Sequence, residues 1–161
     1  MNTTNSNQLL VVGDVHGQID KLEEAIAPYL GSGREIIFLG DLIDRASEPD
    51  GDIRVLQYVK DLQDNSAAYG LAGVTVLLGN HERYLLNLKT KYNDDKYRLW
   101  EHNGGSPELF AVVDPYLPWI DSFEYYNRKL EDENRRLAEE ESDLDDRLAA
   151  LGIIVQVSTP F

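Results

Sequence analysis

The chain has no cysteine among its 161 residues, which excludes disulfides and thiolate metal ligands and makes a reducing compartment, the cytoplasm, the expectation. Basic residues are scarce as well: 15 Lys and Arg stand against 29 Asp and Glu, a net charge of −14. A protein that grips nucleic acid by its phosphates needs clustered Lys and Arg, and no such cluster occurs, so no nucleic-acid partner is expected. No apolar run approaches the ~20 residues that cross a bilayer. Met1 to Gln8 is polar, without the basic and apolar regions of a secretion signal, so no membrane association is expected. Histidine is the last scarcity: only His16, His81 and His102 occur. The remainder, 42% hydrophobic and 27% charged, suits a single domain of ordinary composition with a core of its own.

Apolar runs and their punctuation organise the chain. Leu9-Leu10-Val11-Val12 is continuous and apolar, the pattern of a parallel strand covered on both faces. Ile19, Leu22, Ala25, Ile26, Tyr29 and Leu30 then recur at helical spacing until Gly31-Ser32-Gly33. The unit repeats with a strand at Ile36–Leu39 and a helix from Ile53 to Leu62 that frays near Asn65-Ser66. It repeats again with a strand at Val74–Leu78 and a helix through Tyr84, Leu85 and Leu88. Three strand-loop-helix units in series predict an α/β fold with a parallel sheet. A short helix around Tyr97 to Trp100, a turn at Asn103-Gly104-Gly105 and a further helix or strand ending at Pro115 follow. From Asp121 to Leu151 the apolar positions Phe123, Leu130, Leu137, Leu144 and Leu151 recur every seven residues among many charges, so a long acidic helix is expected there. Asn127, Asn134, Glu141 and Leu148 make a poor second row for a two-stranded coiled coil. Two readings stay open for it: a solvated helix that docks one narrow edge, or a helix for a partner or for self-association. Gly152 ends it, and Ile153–Val157 reads as a closing strand. The expected organisation is a polar tail at 1–8, a core at 9–120, and the acidic helix with its strand at 121–161.

Chemistry concentrates in three blocks, each just after an apolar run: Gly13-Asp14-Val15-His16-Gly17, Gly40-Asp41-Leu42-Ile43-Asp44-Arg45 and Gly79-Asn80-His81-Glu82. Loops at the carboxyl ends of neighbouring parallel strands share one edge of the sheet, where such folds bind ligands. Asp14 and His16, two apart on extended chain, point to one side and can hold one cation. Asp41 ends the next strand at the same level, and its two oxygens can bridge two cations. Asn80 adds a neutral oxygen for the second. Oxygen and imidazole donors without sulfur suit Mn, Fe or Zn. Arg45 can hold two phosphate oxygens with its planar fork, or else pair with Asp41 or Asp44. His102 lies outside the blocks and reads as a surface or packing histidine.

In that order, GDVHG, GDLIDR and GNHE resemble the signature of the phosphoprotein phosphatases within the calcineurin-like metallophosphoesterase superfamily. The match runs from about Leu9 to Glu82, and Trp100 with Asn103-Gly104-Gly105 resembles the following segment of phage and bacterial members. The resemblance implies metal-dependent hydrolysis of phosphomonoesters, with a phosphorylated protein or a small phosphoester as substrate and a metal-bridging hydroxide as nucleophile. By the same resemblance Asp14 and His16 hold the first of two divalent ions, manganese first among the candidates, Asp41 bridges both, and Asn80 holds the second and faces substrate. Arg45 clamps the phosphate, and His81 protonates the leaving alkoxide while Asp44 orients it. A positioned imidazole typically contributes ~10² to 10⁴ in rate.

The sequence departs from that pattern. The family completes its second metal site with two later histidines and adds a second arginine, yet no histidine follows His102 and Ser158 stands where a histidine is sought. A weak second site is therefore expected, in the N-terminal half of an α/β/β/α sandwich. The alternative is a non-catalytic or weakly active, truncated relative that acts as a binding module.

Overall fold

The three strands that carry the blocks are four residues each. The computed structural model describes residues 8–150; the polar tail up to Asn7, the strand expected at 153–157 and Ser158 lie outside the described residues. Strands β1 (Leu9–Val12), β2 (Glu35–Phe38) and β3 (Gly73–Val76) form a parallel sheet in the order β1-β2-β3. Leu10, Ile36 and Val74 lie abreast, as do Val12, Phe38 and Val76. Residues abreast in a sheet share a face, and on this face Ile36, Phe38, Val74 and Val76 are buried. The fold class is the α/β parallel sheet that the sequence predicts.

Helices α1 (Ile19–Ile26) and α2 (Gly51–Asp64) follow β1 and β2. Ile19, Leu22 and Ile26 of α1 and Val55, Leu56, Val59 and Leu62 of α2 are buried in the same core as the covered sheet face. After β3 come α3 (Asn80–Thr90), α4 (Asp94–His102) and α5 (Pro107–Val112). Side-chain caps start the last two: Asn93 accepts from the Lys96 N–H, and Ser106 from the Leu109 N–H with Pro107 at the first helical position. Between them Gly105 leaves room for the buried Trp100, whose ring would lie 2.2 Å from any Cβ there.

One expectation changes, and one open alternative is resolved. The strand Leu9–Val12 is not covered on both faces: Leu9 and Val11 are 51% and 54% exposed, while their neighbours Leu10 and Val12 are half-buried. The reason is that the buried face takes the helical core and the opposite face retains solvent. The segment ending near Pro115 is helical, not a strand: α5 stops at Val112 and a 3₁₀ turn, Asp114–Tyr116, carries Pro115.

The long helix α6 spans Leu117–Ala150, beginning four residues before Asp121, where the sequence places its start, with Pro118 in the first turn where no intrahelical N–H is required. The chain divides into two compact units, Met1–Tyr126 and Asn127–Phe161. In the first, Ile120 and Phe123 are buried; in the second, Leu130 and Leu137 are 45% and 48% exposed. The charged side chains of the second unit pair along the helix, Arg136 with Glu133 and Glu140 at 2.5 and 2.8 Å. No helix among the described residues is long and apolar enough to cross a membrane.

Candidate functional site

The loops after the three strands interlock through backbone before any side chain is considered. The amides of Val15 and His16 both donate to the Asp41 carbonyl at 3.0 Å, and the Gly17 amide donates to Leu42 at 2.8 Å. Gly40 abuts Gly79 so closely that a Cβ on it would lie 2.4 Å from the Gly79 nitrogen. Four non-glycine residues adopt left-handed backbone: His16 (φ 47°), Asp41 (φ 52°), Asp44 (φ 70°) and Arg45 (φ 66°). Each such residue costs on the order of 1–3 kcal/mol, and such conformations cluster at functional sites.

Glu82 holds this geometry. Fully buried on α3, its carboxylate accepts from the amides of Asp41 (2.9 Å), Leu42 (2.6 Å), Ile43 (3.2 Å) and, at its own helix start, Gly79 (3.1 Å). Hydrogen bonds to an ionised group contribute roughly 1.5–3 kcal/mol each, enough to offset the backbone strain of the loop. Burial pushes the Glu82 carboxyl up from its ordinary range, against the pull of those amides. In the sequence Glu82 only closes the third block, but its place carries the signal, a Glu at the third helical position after a glycine, as in a capping box.

His16, Asp41 and His81 each bring one donor atom within 4.8 Å of the others. The Nδ1 of His16 lies 2.9 Å from the Ile43 carbonyl, an arrangement in which Nδ1–H donates and Nε2 is left with its lone pair for a cation. Asp41 presents a carboxylate that also accepts the His81 amide at 3.1 Å, at the positive end of α3. The Asn80 amide lies 3.0 and 3.1 Å from the two Asp41 oxygens, donating to both through its nitrogen; turned over, it presents an oxygen beside the same carboxylate. Asp14 is more open: its carboxylate is 3.6 Å from His16 Nε2 and 67% exposed. The donor set of imidazole, carboxylate and amide, with no sulfur, fits a divalent cation of the Mn, Fe or Zn kind.

The second group of predicted residues forms a polar chain behind a cavity of about 280 Å³, lined by Asp44, Arg45, Asn80, His81, Tyr84, Trp100 and Asn103. Asp44 Oδ2 lies 2.8 Å from His81 Nδ1 and accepts from the Trp100 indole at 3.0 Å. Burial raises the Asp44 carboxyl above its ordinary value, with His81 opposing the rise. Arg45 is exposed, and its Nε donates to the Asn103 carbonyl at 3.3 Å while its amide donates to Gly104 at 2.7 Å. Asp14 and His16 line a neighbouring cavity, of about 360 Å³, with Val12, Lys21 and Ala25. Asp44, Arg45, Asn80 and His81 thus share one cavity, His16 and His81 meet edge to face at 4.8 Å between ring centroids, and Asp14 stands on the far side of His16. Trp100 and Asn103 carry no role that the sequence pattern reveals, because they act through contacts across the fold that spacing does not encode.

Residues 8–153 match the model of a family described as calcineurin-like phosphoesterase. Among solved structures, the chain is similar to a cold-active protein-tyrosine phosphatase of a psychrophilic Shewanella species, at 22% identity over 62% of this chain and 33% of that one, with a TM-score of 0.43. It is similar to a point mutant of a cold-active protein tyrosine phosphatase at the same identity and coverage, with a TM-score of 0.44. The chain thus spans about a third of the length of these structures. No curated protein matches it.

Proposed function

Since the chain belongs to the calcineurin-like phosphoesterase family, we propose that it hydrolyses phosphomonoesters with two divalent cations held between the loops after β1, β2 and β3. The observation that carries this reading is the convergence of His16, Asp41 and His81 to within 4.8 Å, next to a cavity that Arg45 also lines. His16 through Nε2, Asp41, Asp14 and Asn80 would hold the metal, with manganese as the first candidate. When bound, such an ion supplies Lewis-acid charge for the phosphoryl oxygens and lowers the pKa of an attacking water.

The protein's own groups do the rest. Arg45, braced by the Asn103–Gly104 turn, presents a planar fork to two phosphate oxygens. His81 has its Nδ1 against Asp44, which leaves Nε2 as the ring nitrogen for the cavity that both residues line. Its Nε2–H is therefore assigned to the departing alkoxide. Asn80 borders both the Asp41 carboxylate and the cavity, and so faces substrate as well as metal. The order of GDVHG, GDLIDR and GNHE supports the phosphoprotein phosphatase type, and hence a phosphorylated serine or threonine side chain or a small phosphoester.

Hydrolysis of p-nitrophenyl phosphate tests the reading. A Mn²⁺-dependent rate that chelator removes is expected, with His81→Ala lowering kcat by ~10² or more on an alkyl phosphate, whose leaving group needs the proton. Absence of a metal-dependent rate, or full activity in Asp14→Asn and His81→Ala, would overturn it. A second reading, a binding module with little or no turnover, is favoured by the histidine count: His16, His81 and His102 are all the chain has. Calorimetric titration with Mn²⁺ separates the two, because two sites per chain accompany catalysis and one or none accompanies the module.

A further inference from the structure

Gln18 stands just before α1, and its side chain is turned to the site: no side-chain hydrogen bond caps the helix it precedes. Its Nε2 donates to the Arg45 carbonyl at 3.1 Å and to the His16 carbonyl at 3.3 Å, while its Oε1 accepts from the Ser47 hydroxyl at 2.6 Å. The amide has one workable orientation, because main-chain carbonyls only accept, so the nitrogen faces them and the oxygen faces Ser47. One side chain thereby ties the first block to the second at two residues of left-handed backbone, His16 and Arg45. The blocks are also in close contact here, since a Cβ on Gly17 would lie 2.4 Å from the Cβ of Ala46 and 2.3 Å from Oδ1 of the buried Asp52. Packing sets how near the two loops lie, but only a directional bond aims a carbonyl.

Arg45 is exposed, so burial does not fix its backbone. Its main chain is held from two sides instead, the N–H by the Gly104 carbonyl at 2.7 Å and the C=O by Gln18. A left-handed residue other than glycine persists only where its surroundings over-determine it. With the amide and the carbonyl both held, neither φ nor ψ relaxes, and the Cα–Cβ bond keeps the direction from which the side chain lines the cavity. We propose that Gln18 is a positioning residue for phosphate binding: by holding the Arg45 carbonyl against the loop that carries His16, it aims the Arg45 guanidinium at the phosphate that the metal-holding loops receive. The role in phosphate binding rests on the phosphoesterase reading; the bridge between the two loops does not.

Gln18→Met keeps the length of the side chain and removes the donor without adding charge. Hydrolysis of p-nitrophenyl phosphate with Mn²⁺ is measured in the native protein, Gln18→Met, Arg45→Ala and the double variant, and hydrogen exchange of the Arg45 amide is followed by NMR in the native protein and Gln18→Met. Gln18→Met is expected to raise KM about tenfold, the effect of one hydrogen bond. Its kcat is expected to stay within about threefold, the pattern of binding that ground and transition states share. In the Arg45→Ala background the same change is expected to move KM by less than about twofold, because a residue that acts through Arg45 then has nothing to position. Exchange of the Arg45 amide is expected to quicken about tenfold as the loop opens more often. A KM in Gln18→Met within about twofold of the native value, or an equal rise in both backgrounds, overturns the role. Should Gln18→Met fail to fold, Gln18→Glu, which keeps the acceptor for Ser47 and removes the donor, is put through the same comparison with the same outcomes. A native protein without turnover refutes the proposed reaction, and exchange then decides alone: faster exchange in the variant leaves the bridge standing, and unchanged exchange removes it.

Discussion

At the scale of single residues the site is built from conformations that the chain resists and contacts that compel them. His16, Asp41, Asp44 and Arg45 all have positive φ without being glycine, and Glu82 satisfies the amides of the loop that contains three of them. Asp52 adds a cost of another kind, visible in its pH dependence. Its folded carboxyl lies at about 7 against an ordinary 3.8, with burial the larger cause and Asp44 the next. A raised acid binds its proton more tightly when folded, so its contribution to stability is complete below about pH 3.8 and is lost as pH rises towards 7. Relative to Asp52→Asn, the native protein is expected to lose up to ~4 kcal/mol across that window, at ~1.4 kcal/mol per pH unit. Urea denaturation of both proteins at pH 4.5, 6 and 7.5 checks this, and parallel stability curves for the two would contradict it.

At the scale of elements, each strand contributes a loop and each following helix fixes that loop from behind. The third unit shows this best: Asn80 and His81, which line the cavity, are the first two residues of α3, whose third, Glu82, reaches back to secure the loop of the second unit. The turn between α4 and α5 acts on Arg45 in a similar way. Gly104 has φ 103°, and a Cβ there would lie 2.4 Å from Arg45 Cγ. Gly104→Ala is accordingly expected to displace Arg45, raising KM for a phosphomonoester about tenfold or more while costing ~1–3 kcal/mol of stability. Steady-state kinetics beside a thermal melt measures both, and an unchanged KM would show that the turn does not support the arginine.

At the scale of the whole molecule, 29 acidic residues against 15 basic ones give an excess of negative charge that bound cations relieve. A cation that binds only the folded chain stabilises it by mass action, by ~2.7 kcal/mol at a hundredfold excess over its Kd. Mn²⁺ is therefore expected to raise the melting temperature by several degrees, and His16→Ala, which removes the imidazole beside Asp41, is expected to abolish most of that rise. A rise equal in the variant would place the ion elsewhere. The apolar side chains Leu9, Val11 and Leu39, each about half exposed, lie on or beside the sheet face away from the helical core.

The order of the elements was readable from the residues, because periodicity and glycine punctuation act over a few positions and the three strand-loop-helix units obey them. The candidates for the site were also visible there: Asp14, His16, Asp41, Asp44, Arg45, Asn80 and His81 stand out as types that bind metal or move protons, at strand ends where a parallel sheet gathers its loops. The tertiary structure alone decided how those residues divide, with His81 on Asp44, His16 on the Ile43 carbonyl, and Arg45 on a turn 58 positions later. It also decided that Leu9 and Val11 of β1 are exposed on one sheet face and that Asp52 lies buried beneath the site. Burial and hydrogen-bond satisfaction depend on which distant segments meet, and no local pattern of side chains carries that information.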